Sequence, residues 1–259
     1  MNAAAPILQV ENLEKNFGAV AAASNVNIEV LPGEIIGIIG ANGAGKTTFV
    51  NMVTGYLQPD GGSIRFEGRE LIGLQPREVT RSGISRSFQV SQVFATMTVF
   101  ENVLMALAIA RNPGLAMLQP MYHPDLENSC TDVLKRYQIA QYRDSTVSTL
   151  SQGVRKLLDI AMAVVSKPRI LLLDEPTSGV SVKEKFDLMD IVMSALREDN
   201  VTVLFIEHDM EIVERYVSRV IAFYEGKVIC DETPAQALAD PDVQEYVLGI
   251  HNPKARKEI

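Results

Sequence analysis

The chain has 259 residues, 47% of them apolar, and 32 acidic against 24 basic side chains leave a formal net charge of −8 at pH 7. That is enough chain and apolar content for one large domain or two subdomains with a sizeable core, while the negative balance excludes a broad basic surface for nucleic acid. Aromatics at 6% with no tryptophan argue against a base-stacking platform, and Cys130 and Cys230, without metal-ligand spacing, predict reduced thiols in a cytosolic compartment.

Residues 7–10 and 24–30 alternate apolar and polar side chains, as half-buried strands do. Leu31-Pro32-Gly33 then turns the chain into residues 35–39, an apolar run that predicts a short, fully buried parallel strand. A helix follows from Gly45 to about Tyr56. The turn Gln58-Pro59-Asp60-Gly61-Gly62 leads into an alternating strand at 63–68, closing a small antiparallel layer. Residues 77–81 read as a short helix and 84–89 as a strand. From about 90 to 167 the pattern is that of an inserted helical subdomain. Thr98 and Glu101 form a capping-box pattern for a helix running to Ala110. Asn112-Pro113-Gly114 and Met121-Tyr122-His123-Pro124 break it, and a second helix spans 125–137. Ser151 is a good N-cap for a helix at 154–165. The core resumes with a buried strand over 169–173, a helix over 182–198, a buried strand over 201–206 and a helix over 210–216. A hairpin (220–224 and 228–230, turning at Glu225-Gly226-Lys227), a terminal helix over 234–248 and a charged tail over 251–259 complete the chain. The longest mostly apolar stretch, 97–110, is too short to cross a membrane and contains Glu101 and Asn102. The N-terminal segment lacks a basic n-region and soon turns acidic, so no signal peptide is expected and any membrane association would come through a partner.

Gly40-Ala41-Asn42-Gly43-Ala44-Gly45-Lys46-Thr47 fits the phosphate-loop pattern G-x-x-x-x-G-K-[ST] without a mismatch. Its glycines let backbone N–H groups face inward as an anion cradle, and the following helix adds the positive end of its dipole. Lys46 would reach the β- and γ-phosphates and Thr47 would offer its hydroxyl to Mg²⁺. The alternative is a Gly-rich turn without a ligand. A strand before, a helix after and Lys-Thr in register favour a bound nucleoside triphosphate. Three buried strands end in polar residues, at Gly40, at Asp174-Glu175 and at His208. In open parallel sheets ligands lie outside the carboxyl ends of the strands, so one pocket is expected to collect all three. Asp174 is placed to hold Mg²⁺ through water, and Glu175 to orient and polarise an attacking water. By position alone, the acidic pair could instead be a helix N-cap cluster, and His208 a satisfied buried histidine.

The phosphate loop, Gln89 after a short strand, Leu150-Ser151-Gln152-Gly153, Leu171-Leu172-Leu173-Asp174-Glu175-Pro176 and His208 occur in that order. Together they resemble the ATP-binding subunit of an ABC transporter over nearly the whole chain. The resemblance implies an α/β fold, a P-loop NTPase (ABC ATPase) core with a mostly parallel sheet, an N-terminal antiparallel β layer and an inserted α-helical subdomain. One such domain would cover residues 1–250. It implies ATP and Mg²⁺ as ligands. Phe17 matches the aromatic that stacks on adenine. Asn42, Gly43, Ala44, Gly45, Lys46, Thr47 and Thr48 match the phosphate-binding residues, with Lys46 also catalytic. Gln89 matches the Q-loop residue that touches Mg²⁺, beside Thr47 and Asp174, and senses the membrane partner. Glu175 matches the catalytic carboxylate and His208 the switch histidine at the γ-phosphate. Ser151 and Gly153 match the signature that completes the ATP site of the opposite subunit.

Arg86-Ser87-Phe88-Gln89, Met97-Thr98-Val99-Phe100-Glu101-Asn102-Val103 and Ile206-Glu207-His208-Asp209-Met210 look most like the branched-chain amino-acid importer type. The implied partners are a second ATP-binding subunit (the same chain or a different one), transmembrane permease subunits and a periplasmic solute-binding protein, with no nucleic acid. The implied place is the cytoplasmic face of the inner membrane. Exposed hydrophobes of the helical subdomain, among them Phe94, Met97 and Met105, would receive a permease helix, or else belong to the core. Related subunits serve urea or short amides. A lipopolysaccharide- or lipid-type exporter and a soluble non-transport ATPase are the alternative readings. Gln152 stands where a small residue is usual, Val154 replaces Gln or Glu, and Ser181 replaces an aspartate or asparagine. These departures predict a heterodimer with one composite site weaker than the other.

Overall fold

The computed structural model describes residues 5–89, 91–111 and 123–250. It divides into two compact units, Met1–Ile84 with Thr202–Ile259, and Ser85–Val201. The breaks predicted at Asn112-Pro113-Gly114 and Met121-Tyr122, and the tail at 251–259, lie outside the described residues.

The first unit begins with β1 (Leu8–Phe17) and β2 (Val20–Val30), an antiparallel pair in which Leu8 faces Val30 and Phe17 faces Val20. Both strands outrun the alternation that predicted them. Bulges between Val10 and Leu13, and again up to Asn16, interrupt the period of two while pairing continues. β3 (Ile35–Gly40) is buried at every residue. The next helix, α1 (Lys46–Val53), stops earlier than predicted, because Thr54 turns back onto the Val50 carbonyl (2.6 Å) and Gly55 takes φ 76°. β4 (Gly61–Phe66) and β5 (Arg69–Glu70) complete an antiparallel layer in the order β2-β1-β4-β5. α2 (Pro76–Ser82) opens on a capping box between Gln75 and Glu78 with Pro76 in its first turn.

The second unit carries β6 (Ile84–Ser87), α3 (Val99–Arg111), α4 (Pro124–Arg136), α5 (Gln152–Val164), β7 (Ile170–Asp174) and α6 (Val182–Glu198). The capping box of α3 is present: the Glu101 carboxylate accepts from Thr98 N–H (2.8 Å), and the Thr98 hydroxyl accepts from Glu101 N–H (3.1 Å). α3 packs on α4 and α5, α5 packs on α6, and β7 lies beside β6. Arg136 at the end of α4 ties the end of α6 by bonds to the Ala195 carbonyl (2.5 Å) and Asp199 (2.7 Å).

The chain then returns to the first unit with β8 (Thr202–Ile206), α7 (Met210–Tyr216), β9 (Arg219–Tyr224), β10 (Lys227–Glu232) and α8 (Pro234–Ala239). β3 lies between β8 and β9 and runs parallel to both, and β10 closes the edge antiparallel to β9. The predicted α/β class holds, with parallel core strands and an antiparallel N-terminal layer. The predicted terminal helix is interrupted. Asp240 is extended (ψ 129°) because Pro241 disfavours helical geometry in the residue before it. The Asp240 carboxylate then accepts from Asp242 and Val243 N–H to start a single π-turn, Val243–Val247.

Both cysteines are buried free thiols, and burial pushes Cys130 up to about 12 and Cys230 up to about 11. Their protonated forms contribute stability that is full below the ordinary thiol value and lost as pH rises through those raised values. Disulfide-exchange titration at pH 8 is therefore expected to find both thiols protected in the native chain and both reactive in denaturant.

Candidate active site

In the first unit, β3 delivers the chain straight into the glycine loop. Gly40, Gly43 and Gly45 all take positive φ (150°, 80° and 108°), the backbone region that L side chains avoid. At Gly40 a Cβ would overlap the Phe223 carbonyl oxygen, and at Gly45 the Ala22 carbonyl oxygen; at Gly43 nothing lies within 4 Å. The loop is thus pinned at two glycines and open at the third. No side chain caps α1 at Gly45. Its first-turn N–H groups are the kind that a helix end offers to an anion. The buried Lys46 donates to the carbonyls of Gly40 (2.6 Å) and Ala41 (2.9 Å), which holds the ammonium across the mouth of the loop. Asn42 and Thr47 are exposed and Thr48 is half-buried. An uncapped helix start, a loop with open space at Gly43 and a buried cation together fit a polyphosphate.

Gly226, at the β9–β10 turn, donates from its N–H to the Ala44 carbonyl (3.0 Å), and its own carbonyl accepts from Ser24 N–H (2.8 Å). The turn was legible in the sequence; its seat against the phosphate loop was not. Register pairs Ile38 with Ile206, so β3 and β8 release Gly40 and His208 at the same end of neighbouring parallel strands. His208 is exposed, which removes the buried structural reading. Phe17 is 52% exposed at the β1–β2 turn, with the Lys15 ammonium over its ring, 5.7 Å from the centroid.

The second unit holds the acidic strand end. β7 is buried throughout and ends at Asp174. Glu175 then takes φ 49°, a strained left-handed conformation for a side chain ahead of proline. Ser178 N–H (3.1 Å) and Lys156 Nζ (3.4 Å) both donate to the Glu175 carbonyl and hold this bend, which leaves Glu175 half-buried. The Gln89 amide donates to the Glu175 carboxylate at 2.7 Å, so the structure brings these two predicted residues together. Asp174 bonds the Arg86 guanidinium at 2.5 Å, with both side chains buried. Ser151 caps α5 by accepting from Val154 N–H (3.5 Å) and is exposed. A Cβ at Gly179 would sit 3.4 Å from Gln152, and one at Gly153 would sit 3.8 Å from Val180. The Gln152 side chain thus lies beside Gly179, in the segment that carries Ser181.

Sequence reasoning missed Arg86 as the partner of Asp174, and missed Lys156 and Asp159 altogether. The signal for the second pair was present. Charges three apart stand within a buried run, Leu157, Leu158, Ile160 and Ala161, where a charge survives only if paired. Burial pushes the Asp159 carboxyl above its ordinary range, against the opposing pull of Ser87, Gln92 and Lys156.

A phosphate cradle at the end of a buried parallel strand defines a nucleoside triphosphatase of the P-loop class. Residues 23–178 match the ABC transporter family, and the chain belongs to it as an ATP-binding, ATP-hydrolysing member. It is similar to the high-affinity branched-chain amino acid transport ATP-binding protein BraF of Pseudomonas aeruginosa, with 36% identity over 94% of this chain and 98% of that protein. The LivG protein of the same description from Escherichia coli K12 matches at 36% with the same coverage. The crystal structure of the ADP conformation of MJ1267, an ATP-binding cassette of an ABC transporter, superposes with a TM-score of 0.79 at 29% identity, covering 93% of this chain and 97% of that one. No helix among the described residues is long and apolar enough to cross a membrane.

Proposed function

We propose that this chain energises an importer for branched-chain amino acids or a closely related small solute. The observation that carries the reading is the near end-to-end match, at 36% identity, to subunits named for that transport. Phe17 stacks on adenine, the loop amides and Lys46 hold the phosphates, and Thr47, Gln89 and Asp174 are the residues that would hold Mg²⁺. The metal, when bound, neutralises charge on the phosphates. Glu175 takes the proton of the attacking water, and His208 orients the γ-phosphate end. Within the helical subdomain proposed at about residues 90–167, the exposed Phe94 and Ile109 and the half-buried Met97 and Met105 suit a permease helix. The chain works at the cytoplasmic face of the membrane, paired with a second ATP-binding subunit and supplied by a periplasmic solute-binding protein. Coupling requires the paired state to bind ATP better than the separated one. The test is to isolate the membrane subunits that co-purify with the chain, reconstitute them and ask which solute stimulates hydrolysis. Stimulation by leucine, isoleucine or valine supports the reading; stimulation only by a lipid substrate overturns it.

The pairing is with a different subunit, so that Ser151 serves only one of two unequal sites. Ser151→Ala in the assembled transporter is then expected to lower hydrolysis by about half or less, since the loss is confined to one site. Near-complete loss would count against unequal sites.

A further inference from the structure

Asp174 ends β7, and the strand beside it, β6, sends Arg86 onto its carboxylate, with Arg86 Nη2 donating to Asp174 Oδ2 at 2.5 Å. The pair lies inside the second unit, and its side chains are 7% and 10% exposed. The guanidinium also lies over the Phe88 ring, 4.6 Å from the centroid, so a carboxylate and an aromatic face both hold it. A buried ion pair is weak evidence for stability, because well-packed apolar residues serve as well or better. What Arg86 supplies, and an apolar side chain cannot, is a permanent positive charge at the carboxylate expected to hold Mg²⁺. A bare buried carboxylate draws a counter-ion, and here the counter-ion is part of the chain. Among the described residues no group of three or more histidine, cysteine, aspartate or glutamate side chains is placed to hold a metal. A hard divalent cation sheds its water reluctantly, so it has too few protein ligands until phosphate oxygens join them. With Asp174 compensated by Arg86, free cation meets a neutral pair. The attraction returns when a polyphosphate adds its own negative charge.

We propose that Arg86 is a positioning residue that sets the order of loading: as the built-in counter-ion of Asp174 it turns away free divalent cation, so that the metal enters with the nucleotide. This rests on the metal-holding role proposed above for Asp174. Arg86 acts through the carboxylate and needs no contact of its own with nucleotide or metal.

The test titrates Mn²⁺ alone into the full-length, nucleotide-free chain and reads free Mn²⁺ by electron paramagnetic resonance. It compares wild type, Arg86→Gln, Arg86→Lys and Arg86→Gln/Asp174→Asn. Arg86→Gln is expected to bind Mn²⁺ about tenfold or more tightly than wild type, because the repulsion of a neighbouring unit charge is gone. Arg86→Lys keeps the charge and should stay within about threefold of wild type. Adding Asp174→Asn to Arg86→Gln should cancel the gain. If Arg86→Gln proves too unstable to titrate, Mn²⁺ should raise its melting temperature while leaving that of wild type unmoved, since a ligand stabilises the state that binds it. Unchanged or weaker Mn²⁺ binding by Arg86→Gln, or no thermal shift in Mn²⁺ where only melting can be read, overturns the proposal alone and leaves Arg86 a packing role. An equal gain in Arg86→Lys overturns it too, because charge would then not be the cause. Asp174→Asn by itself, assayed for ATP binding with and without Mg²⁺, tests the underlying reading. If Mg²⁺ still strengthens ATP binding there as in wild type, Asp174 does not hold the metal and the proposal falls with that reading.

Discussion

Glu175→Gln is expected to bind ATP with wild-type affinity and to lose hydrolysis at this subunit's own site by about 10²- to 10⁴-fold, the range for removing a positioned general base. The substitution is isosteric, and Glu175 owes its placement to main-chain contacts: its carbonyl is held by Ser178 N–H and Lys156 Nζ, and the bend at φ 49° belongs to the backbone. An amide at this position can still accept from the Gln89 amide, which lies 2.7 Å from the carboxylate, so the local fold should persist. What disappears is the capacity to take a proton. Retained ATP then keeps the paired state closed, and the variant mixed with its partner ATP-binding subunit should run as a dimer in ATP and as separate subunits without it. Equilibrium binding, steady-state hydrolysis and size-exclusion chromatography with and without ATP measure the three quantities. Hydrolysis near the wild-type rate would reassign the base.

Gly45→Ala should abolish nucleotide binding, whereas Gly43→Ala should weaken it only modestly. Both positions have positive φ, 108° and 80°, so both pay a conformational cost of about 1–2 kcal/mol for a side chain. They differ in space. At Gly45 the new Cβ overlaps the Ala22 carbonyl oxygen of β2 and comes within 3.3 Å of Gly226, both backbone; at Gly43 nothing lies within 4 Å. Backbone cannot swing aside as the end of a flexible side chain can, so the loop must shift at Gly45 and carry the start of α1 with it. A shift there moves Lys46 off the Gly40 and Ala41 carbonyls. Titration with a fluorescent ATP analogue, with thermal melting of each variant in parallel, separates the two effects. Equal losses at both positions would mean that conformation alone sets the loop.

Local signals carried most of the fold. The buried runs that became β3, β7 and β8, the Thr98–Glu101 box that starts α3, the Ser151 cap of α5 and the helices α6 and α7 were legible because each is encoded within a few adjacent residues. Errors fell where two signals compete over a short span. β1 continues through bulges that spoil its alternation, and the terminal helix yields at Asp240 to the proline that follows it. The phosphate loop was readable because its chemistry is backbone chemistry, which glycines at fixed spacing specify on their own.

By itself, then, the amino-acid order determined which segments are strand or helix, where the phosphate cradle lies, and which carboxylates and histidine stand at strand ends. Only the tertiary structure decided that Arg86 meets Asp174 across 88 positions of chain, that the Gln89 amide rests on the Glu175 carboxylate, that Gly226 braces the loop at Ala44, and that Lys156 and Asp159 hold the segment around Gln89. The physical reason is that a period or a cap is a property of neighbouring residues, while a pairing between distant ones exists only once strand order and helix packing have brought their backbones within hydrogen-bond reach.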